Sequence, residues 1–570
     1  MLDTSALDAG PVAQDDDRAA EHARVGDLRG RAPATADGDR SLARSDHGEV
    51  PCVTGARRDR VVDPRVRVLG PLAREDPHGR AARVLRATRR GFHHLAEPAA
   101  DHDAAVLGQQ PPDLLRLRHP LGTAANHRNL HGTDDKTAAV QTRDARGGTL
   151  VLGGGFAGGY VARLVGKAGA TIVSPENFML YTPMLPEAAS GTLEPRHVVV
   201  PLRLMCPHAE LLLGKAIALD EKRRAVHVVT EDGELEVSYQ QLVVALGSVP
   251  RRLPVPGLAE HGLWFRNLAD AIHLRNHVLR ELEAAVADPE NAERHLTFVF
   301  IGAGYAGVEA LAELSDLVRD ALRHYPELKS APQRWVLVDA APKILPEIPT
   351  RLGEYAAREL AKRGVDIRVS TTLDSVDADG AVLSDGTRFE THSLVWTAGV
   401  TANPDEALLG LPLDERGRII VGPTLRVEGR ESVWALGDGA RVPNEATPDM
   451  FDPPTCQHAL RQARRLAKNL KGESKPYRYR MLGQVATLGR YKGIADVMGL
   501  RFRGFIGWFI TRTYHLFQLP LISRKLRVVT DWTTALFFRR DIAELSMLGH
   551  PVPPAVPHEK ERGARSRAPL

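Results

Sequence analysis

Cysteine is scarce in this 570-residue chain: Cys52, Cys206 and Cys456 are all it has. An odd number without close spacing gives neither a disulfide framework nor a cysteine zinc site, and suits a reducing compartment. Long apolar runs are missing too. Nowhere do 18 uncharged apolar residues stand together, and the acidic N-terminus MLDTSALDAGPVAQDDD has no apolar core of a signal peptide. Neither a spanning helix nor export is therefore expected. The formal net charge of +4 is small for the length and gives no basis for nucleic-acid binding. What remains is 43% hydrophobic residues, enough for two or three domains with sizeable cores.

The first quarter has its own absences. Residues 1–145 contain no Ile, Trp or Tyr, one Phe (Phe92) and one Lys (Lys136), while Arg, Asp, His, Ala and Pro recur. Such a segment lacks the large side chains whose burial offsets chain entropy, and is expected to be mostly disordered. His93 and His94 have no Cys or carboxylate partners at ligand spacing, so no metal is expected there. Met1 is the only methionine before Met179, and the composition resembles translated GC-rich non-coding sequence. An early start codon, with the folded protein beginning near residue 147, is the corresponding expectation.

The glycines begin where the large apolar residues do. TLVL (149–152) is a candidate strand, followed by Gly153, Gly155 and Gly158 in the G-x-G-x-x-G spacing. In such a loop the first glycine permits the tight turn, the second lets the backbone approach a pyrophosphate, and the third lets the helix pack closely. That helix then presents its positive N-terminus to the phosphates. A second copy, FVFIGAGYAGVEAL, carries Gly302, Gly304 and Gly307, and the next strand ends in Asp339. An acid there accepts from ribose hydroxyls and repels a 2′-phosphate, favouring NADH over NADPH. In the first unit the matching position is Ser174, with Glu176 two residues on. Either Glu176 reaches the ribose or the site tolerates a serine, and Glu176 also suits a solvated loop. Gly437 and Asp438 close a further strand, as in a second loop gripping a flavin's ribityl chain, although Gly-Asp is also an ordinary turn. VVALGSVP (243–250) and VWTAGV (395–400) stand where a chain would leave one dinucleotide domain for another and return.

Together with ENFMLYTPMLPEAASG, PPTCQHALRQ and the C-terminal RGFIGWFITRTYHLFQLP, these stretches make the chain resemble the two-dinucleotide-binding flavoproteins. Within them it is similar to the type II, non-pumping NADH:quinone oxidoreductases. The resemblance covers residues 147–550, about seven tenths of the chain. It implies an α/β fold with two Rossmann-like domains: an FAD-binding unit at 146–258 and 392–446, interrupted by an NADH-binding unit at 259–391. A quinone-side and membrane-docking region (447–550) and a disordered tail (551–570) would follow. By the same resemblance Gly153, Gly155, Gly158, Gly437 and Asp438 hold FAD, with Tyr181, Thr182 and Pro183 near the flavin ring. Gly302, Gly304, Gly307 and Asp339 take NADH, and Glu309 acts between the NADH and quinone sites. A first-turn carboxylate favoured by the helix dipole is the plainer reading of Glu309. The quinone-side segment keeps one family glutamine as Gln457, but has Arg461 in place of the second and Cys456 in place of an alanine. His458 and Arg461 would stand near the quinone route, menaquinone or ubiquinone, with Gln457 in the acceptor chemistry.

Several rivals are weighed against this resemblance. A disulfide reductase needs a redox cysteine pair soon after the first loop, and none is there. A sulfide:quinone oxidoreductase would recruit Cys206 and Cys456, but has no use for the second glycine loop. A soluble NADH oxidase or a ferredoxin-type reductase does not explain the C-terminus, and a flavin-bearing NADH sensor with slow turnover stays open until quinone turnover is measured. There Phe505, Ile506, Trp508, Phe509, Ile510, Tyr514, Leu516, Phe517 and Leu519 alternate with Arg501, Arg503, Arg512, Arg524, Lys525 and Arg527. The apolar runs between arginines are too short to cross a bilayer. The pattern suits a helix lying on the cytoplasmic membrane face with arginines toward anionic headgroups, and also suits packing in a core or a homodimer interface.

Overall fold

The structure, a computed structural model, describes residues 141–545. They fall within the second of two units, Arg128–Leu570. The expectations for residues before 141 and for the tail after 550 lie outside the described residues.

The first glycine loop joins strand β1 (Thr149–Leu152) to helix α1 (Phe156–Val165), and β2 (Ala170–Ser174), β3 (Ala209–Leu213) and β4 (Gln241–Val244) follow. The chain then crosses over and builds a second set. This comprises β5 (Leu263–Trp264), α2 (Leu268–Ala287), β6 (Thr297–Ile301), α3 (Tyr305–Ala321), β7 (Arg334–Asp339), β8 (Val365–Val369) and β9 (Ser393–Trp396). It returns to the first set through β10 (Val433–Ala435), then continues into α4 (Cys456–Asn469), α5 (Gly504–Gln518) and α6 (Ile522–Phe537).

The first sheet runs β10-β4-β1-β2-β3 and the second β5-β9-β6-β7-β8, all parallel. Parallel strands covered on both faces need continuous apolar runs, which TLVL and TFVFI supply; both are buried along their whole length. Alternation splits the second core in two: Phe298 and Phe300 pack with α2 and α3, while Val299 and Ile301 face Trp264, Phe389 and Trp396. In each sheet the order reverses beside the strand that feeds a glycine loop, β1 or β6, and ligands bind at such switch points.

Two expected boundaries shift. Residues 393–396, placed with the FAD unit at 392–446, pair as β9 with β6 and belong to the second sheet. The crossing itself is the antiparallel pair Ser248–Pro250 with Val400–Ala402, so the return comes at 400. Nor does the ordered body wait for residue 147. Gln141–Asp144 pairs with residues 235–238 and Ala145 is buried, because backbone pairing on a sheet edge asks for no large side chains.

Candidate functional site

Both glycine loops have the same construction. Gly153 and Gly302 sit at φ +103° and +108°, where a side chain would be strained and would strike the backbone of Ala245 or Thr397 on the adjoining strand. Each helix that follows starts at a glycine, Gly155 or Gly304, with no side-chain cap and no acid in its first turn. The space where a Cβ would stand at either glycine is open to 4 Å. The first N–H groups of α1 and α3 are thereby left to an external acceptor, with the helix dipole behind them.

Around the first loop, Ser174 is buried and its Oγ would lie 2.8 Å from a Cβ on Gly154, while Glu176 is exposed beyond it. The Asp438 carboxylate accepts from Ser248 Oγ at 2.7 Å and pairs with Arg266 at 3.4 Å. Gln462 holds the turn from beneath: its Oε1 accepts the Gly437 N–H at 2.8 Å and its amide donates to Asp452 at 2.9 Å. Tyr181 is buried, packs on Phe156 and faces His515 Nδ1 at 3.3 Å. Thr182 and Pro183, half-buried, open the short helix beside it. Burial pushes His515 down to about 4, so its imidazole is neutral. The same cause pushes the Cys206 and Cys456 thiols up to about 12, which leaves them poor nucleophiles.

At the second loop the Asp339 carboxylate ends β7, accepting from Ala303 N at 2.5 Å and from Ala341 N at 2.7 Å. The acid thus stands against the loop and is half-exposed.

Glu309 is not an exposed dipole-stabilising carboxylate. It is buried on α3, with Oε1 accepting from Thr487 N and Oγ1 at 2.8 and 3.2 Å. Burial, with the nearby Glu187 and Glu313 adding to it, raises its carboxyl to about 8. Glu187 comes from the short helix Leu185–Ala189, accepts from Trp532 Nε1 at 2.6 Å and pairs with Arg512 at 3.3 Å. Burial opposes ionisation of Glu313, but Arg540 at 2.8 Å, with Ser190 Oγ donating at 3.0 Å, holds it below the ordinary carboxylate range.

On α4, Gln457 accepts from Tyr479 Oη at 3.2 Å and donates to Gly483 O at 3.3 Å. The Arg461 guanidinium lies over the Tyr479 ring at 5.1 Å, with Nη1 lacking a hydrogen-bond partner. His458 meets the same Tyr479 ring edge-on at 5.4 Å. It is buried, 2.7 Å from Thr455 Oγ1 and 3.6 Å from Asp452, so both ring nitrogens already face protein groups.

The C-terminal helices also correct the sequence reading. Phe505, Ile506, Phe509 and Phe517 are exposed, but Trp508 is buried, because the helical period turns it inward, and Leu519 is buried where the chain leaves α5 in an extended conformation. Arg512, expected toward headgroups, is buried between the Trp508 and Trp532 rings. Among the described residues no helix is long and apolar enough to cross a membrane.

Sequence reasoning missed Gln462, His515, Glu187, Glu313 and Arg540, and gave Arg512 a different role. One signal was available: Glu309, Glu313, Asp316 and Asp320 recur along one face of α3, an acidic stripe on a helix that is otherwise apolar and buried.

Residues 148–463 match the family described as pyridine nucleotide-disulphide oxidoreductase. The chain is 29% identical over 415 residues to a type II NADH:quinone oxidoreductase of Mycobacterium tuberculosis, spanning 69% of this chain and 88% of that one. It is 30% identical over 483 residues to the mitochondrial internal alternative NAD(P)H-ubiquinone oxidoreductase A1 of Arabidopsis thaliana, spanning 77% and 93%. The fold is similar to NDH2 of Plasmodium falciparum solved with NADH: TM-score 0.65 at 15% identity, covering 69% of this chain and 99% of that one.

Proposed function

The chain belongs to the pyridine nucleotide-disulphide oxidoreductases and, within them, to the type II NADH:quinone oxidoreductases, and we propose that its first glycine loop holds FAD, its second NADH, and that a membrane quinone is the electron acceptor. One observation carries this reading: two parallel sheets each end a strand on a glycine turn whose following helix is uncapped and faces open space. FAD, when bound, supplies the two-electron chemistry between nicotinamide and quinone.

The protein's share is to bind, orient and supply a proton. Gly153, Gly155 and Gly158 with the α1 N-terminus take the pyrophosphate of FAD, and Asp438 accepts from the ribityl hydroxyls. Gln462 holds the Gly437 turn in place for this. Ser174 stands at the loop where the adenosine ribose would lie, with Glu176 next to it. Tyr181 and Pro183 wall the flavin site, with His515 fixing the tyrosine hydroxyl. Gly302, Gly304, Gly307 and Asp339 form the NADH seat. Oxidising one NADH and reducing one quinone to quinol consumes one proton from outside the pair. Glu309, protonated near neutrality, is the residue placed to hold it. Gln457 and Arg461 offer an amide and a free guanidinium N–H to the acceptor's carbonyls, and His458 stands beside them against the Tyr479 ring. The chain docks peripherally on the cytoplasmic membrane face through α5 and α6.

The test is NADH oxidation by the purified yellow protein, anaerobically with a short-chain quinone and then with oxygen alone. Bleaching of the flavin by NADH and fast recovery on adding quinone is the expected result. Bleaching that quinone does not reverse would move the acceptor to a soluble partner, and no bleaching at all would remove the NADH assignment.

A further inference from the structure

At the N-terminal ends of β6 and β9, away from the second glycine loop, three histidines converge on one glutamate. Helix α2 carries His277 and Glu281 one turn apart; His295 closes the short helix Ala292–His295 before β6, and His392 immediately precedes β9. Glu281 Oε2 lies 2.6 Å from His295 Nδ1 and 3.3 Å from His392 Nδ1, and the two rings meet edge-on at 4.8 Å. One ligand atom from each of Glu281, His295 and His392 lies within 4.8 Å of the others. His277 Nε2 is 3.9 Å from Glu281 Oε1 and 2.8 Å from Ser393 Oγ.

We infer that Glu281, His295 and His392 form a site for a divalent transition-metal ion of the zinc type, with His277 or a water as the fourth ligand. Two imidazoles and a carboxylate suit Zn²⁺; thiolates for Cu(I) are missing, and there are too few oxygens for Ca²⁺ or Mg²⁺. Tetrahedral zinc with bonds of about 2.0–2.2 Å sets its ligand atoms about 3.3 Å apart. The distances from Glu281 Oε2 to the two Nδ1 atoms, 2.6 and 3.3 Å, approach that spacing with small side-chain movements. Each histidine would bind through its Nδ1 lone pair and keep its proton on Nε2, so only a tautomer change separates the hydrogen-bonded state from the ligating one. The neighbouring guanidinium charges are already engaged: Arg294 pairs with Asp379 at 3.1 Å and Glu390 at 3.5 Å, and Arg280 with Glu544. Glu281 and His295 are buried, while the His392 side chain is 29% exposed, giving an ion entry from solvent. The ion would tie α2 to the starts of two strands whose far ends meet at Gly302 and Thr397.

The test uses the full-length, FAD-loaded protein, stripped by a chelator and then loaded with Zn²⁺, with metal content measured after desalting. Wild type is expected to retain one equivalent more than Glu281→Gln or His392→Gln, and to melt at a higher temperature with Zn²⁺ than without it, a rise both variants lack. Co²⁺ in the same site is expected to give the intense visible bands of tetrahedral coordination. Histidines elsewhere bind equally in all three proteins, so the difference counts this site alone. Equal Zn²⁺ retention by wild type and both variants, whatever their melting in chelator, would overturn the site and leave a hydrogen-bonded cluster only. NADH oxidation, followed separately, is independent of that outcome.

Discussion

At Glu309, burial outweighs every neighbouring charge in setting proton affinity, since the two hydrogen bonds from Thr487 favour the anion and still leave the carboxyl at about 8. A folded-state value above the unfolded one means that the native protein binds more protons, so this residue's contribution to stability falls as pH rises from about 4.5 to about 8. Glu309→Gln keeps the Thr487 acceptor and is expected to flatten that fall, as read by chemical denaturation across the window. Losing the proton donor should slow quinone reduction by about 10²-fold while stopped-flow flavin reduction by NADH stays unchanged. A variant with wild-type quinone turnover would remove Glu309 from proton supply. Asp339 makes a second residue-scale prediction. Its anion stands half-exposed at the end of β7, so Asp339→Ser should raise the relative use of NADPH by about tenfold or more, mostly through KM. An unchanged NADH/NADPH ratio would place selectivity elsewhere. Asp339 was legible because it ends the strand that follows a glycine loop, whereas the role of Glu309 came only through the family resemblance. Glu187 and Arg540 were not legible, because their meaning lies in partners that only folding brings near.

The strands and loops that carry the site were readable at the scale of elements, because buried parallel strands write themselves as apolar runs and a glycine turn has a fixed spacing. The unit boundary at 392 failed for the same reason it was attempted: VWTAGV breaks at Gly399 like a crossover, yet its first residues complete the second sheet and only those from Val400 make the return. In the C-terminal helices composition pointed to a membrane face, but the helical period decides which side chains belong to it. Phe505, Phe509 and Phe517 on α5, with Ile522, Leu526 and Phe537 on α6, stand exposed beside Arg524 and Lys525. A fully buried phenylalanine is worth about 1.5–3 kcal/mol, so Phe517→Ser with Phe537→Ser should weaken cosedimentation with phosphatidylglycerol vesicles by more than tenfold. Melting temperature should not change, because both rings are in solvent in the free protein. Undiminished vesicle binding would send the docking surface to another face.

Across the whole molecule, the last described residues strap α2 and α3 of the second set to the segment around Thr192. Arg275 of α2 donates to the carbonyls of Ala543 and Asp541 at 2.6 Å, and Asn276 exchanges hydrogen bonds with Leu545 at 2.8 and 3.1 Å. Between these, Arg540 reaches inward to Glu313, Asp320 and Thr192 with only 5% of its side chain exposed. Arg512 and Trp532 meet Glu187 from α5 and α6, so the same acidic set that surrounds Glu309 also anchors the proposed membrane-facing helices. Any shift of those helices on docking would change the field at Glu309. Arg540→Ala removes the paired cation of the buried Glu313 anion, and truncating one partner of such a pair costs about 3–5 kcal/mol. Since the pair is shielded from solvent, added salt should not reduce the loss. Adding Glu313→Gln to the same variant should recover part of it by removing the stranded charge, a pattern that simple loss of packing would not give. Denaturant melts of the two single variants and the double variant decide this, and strictly additive losses would show that the strap is held by its backbone contacts alone.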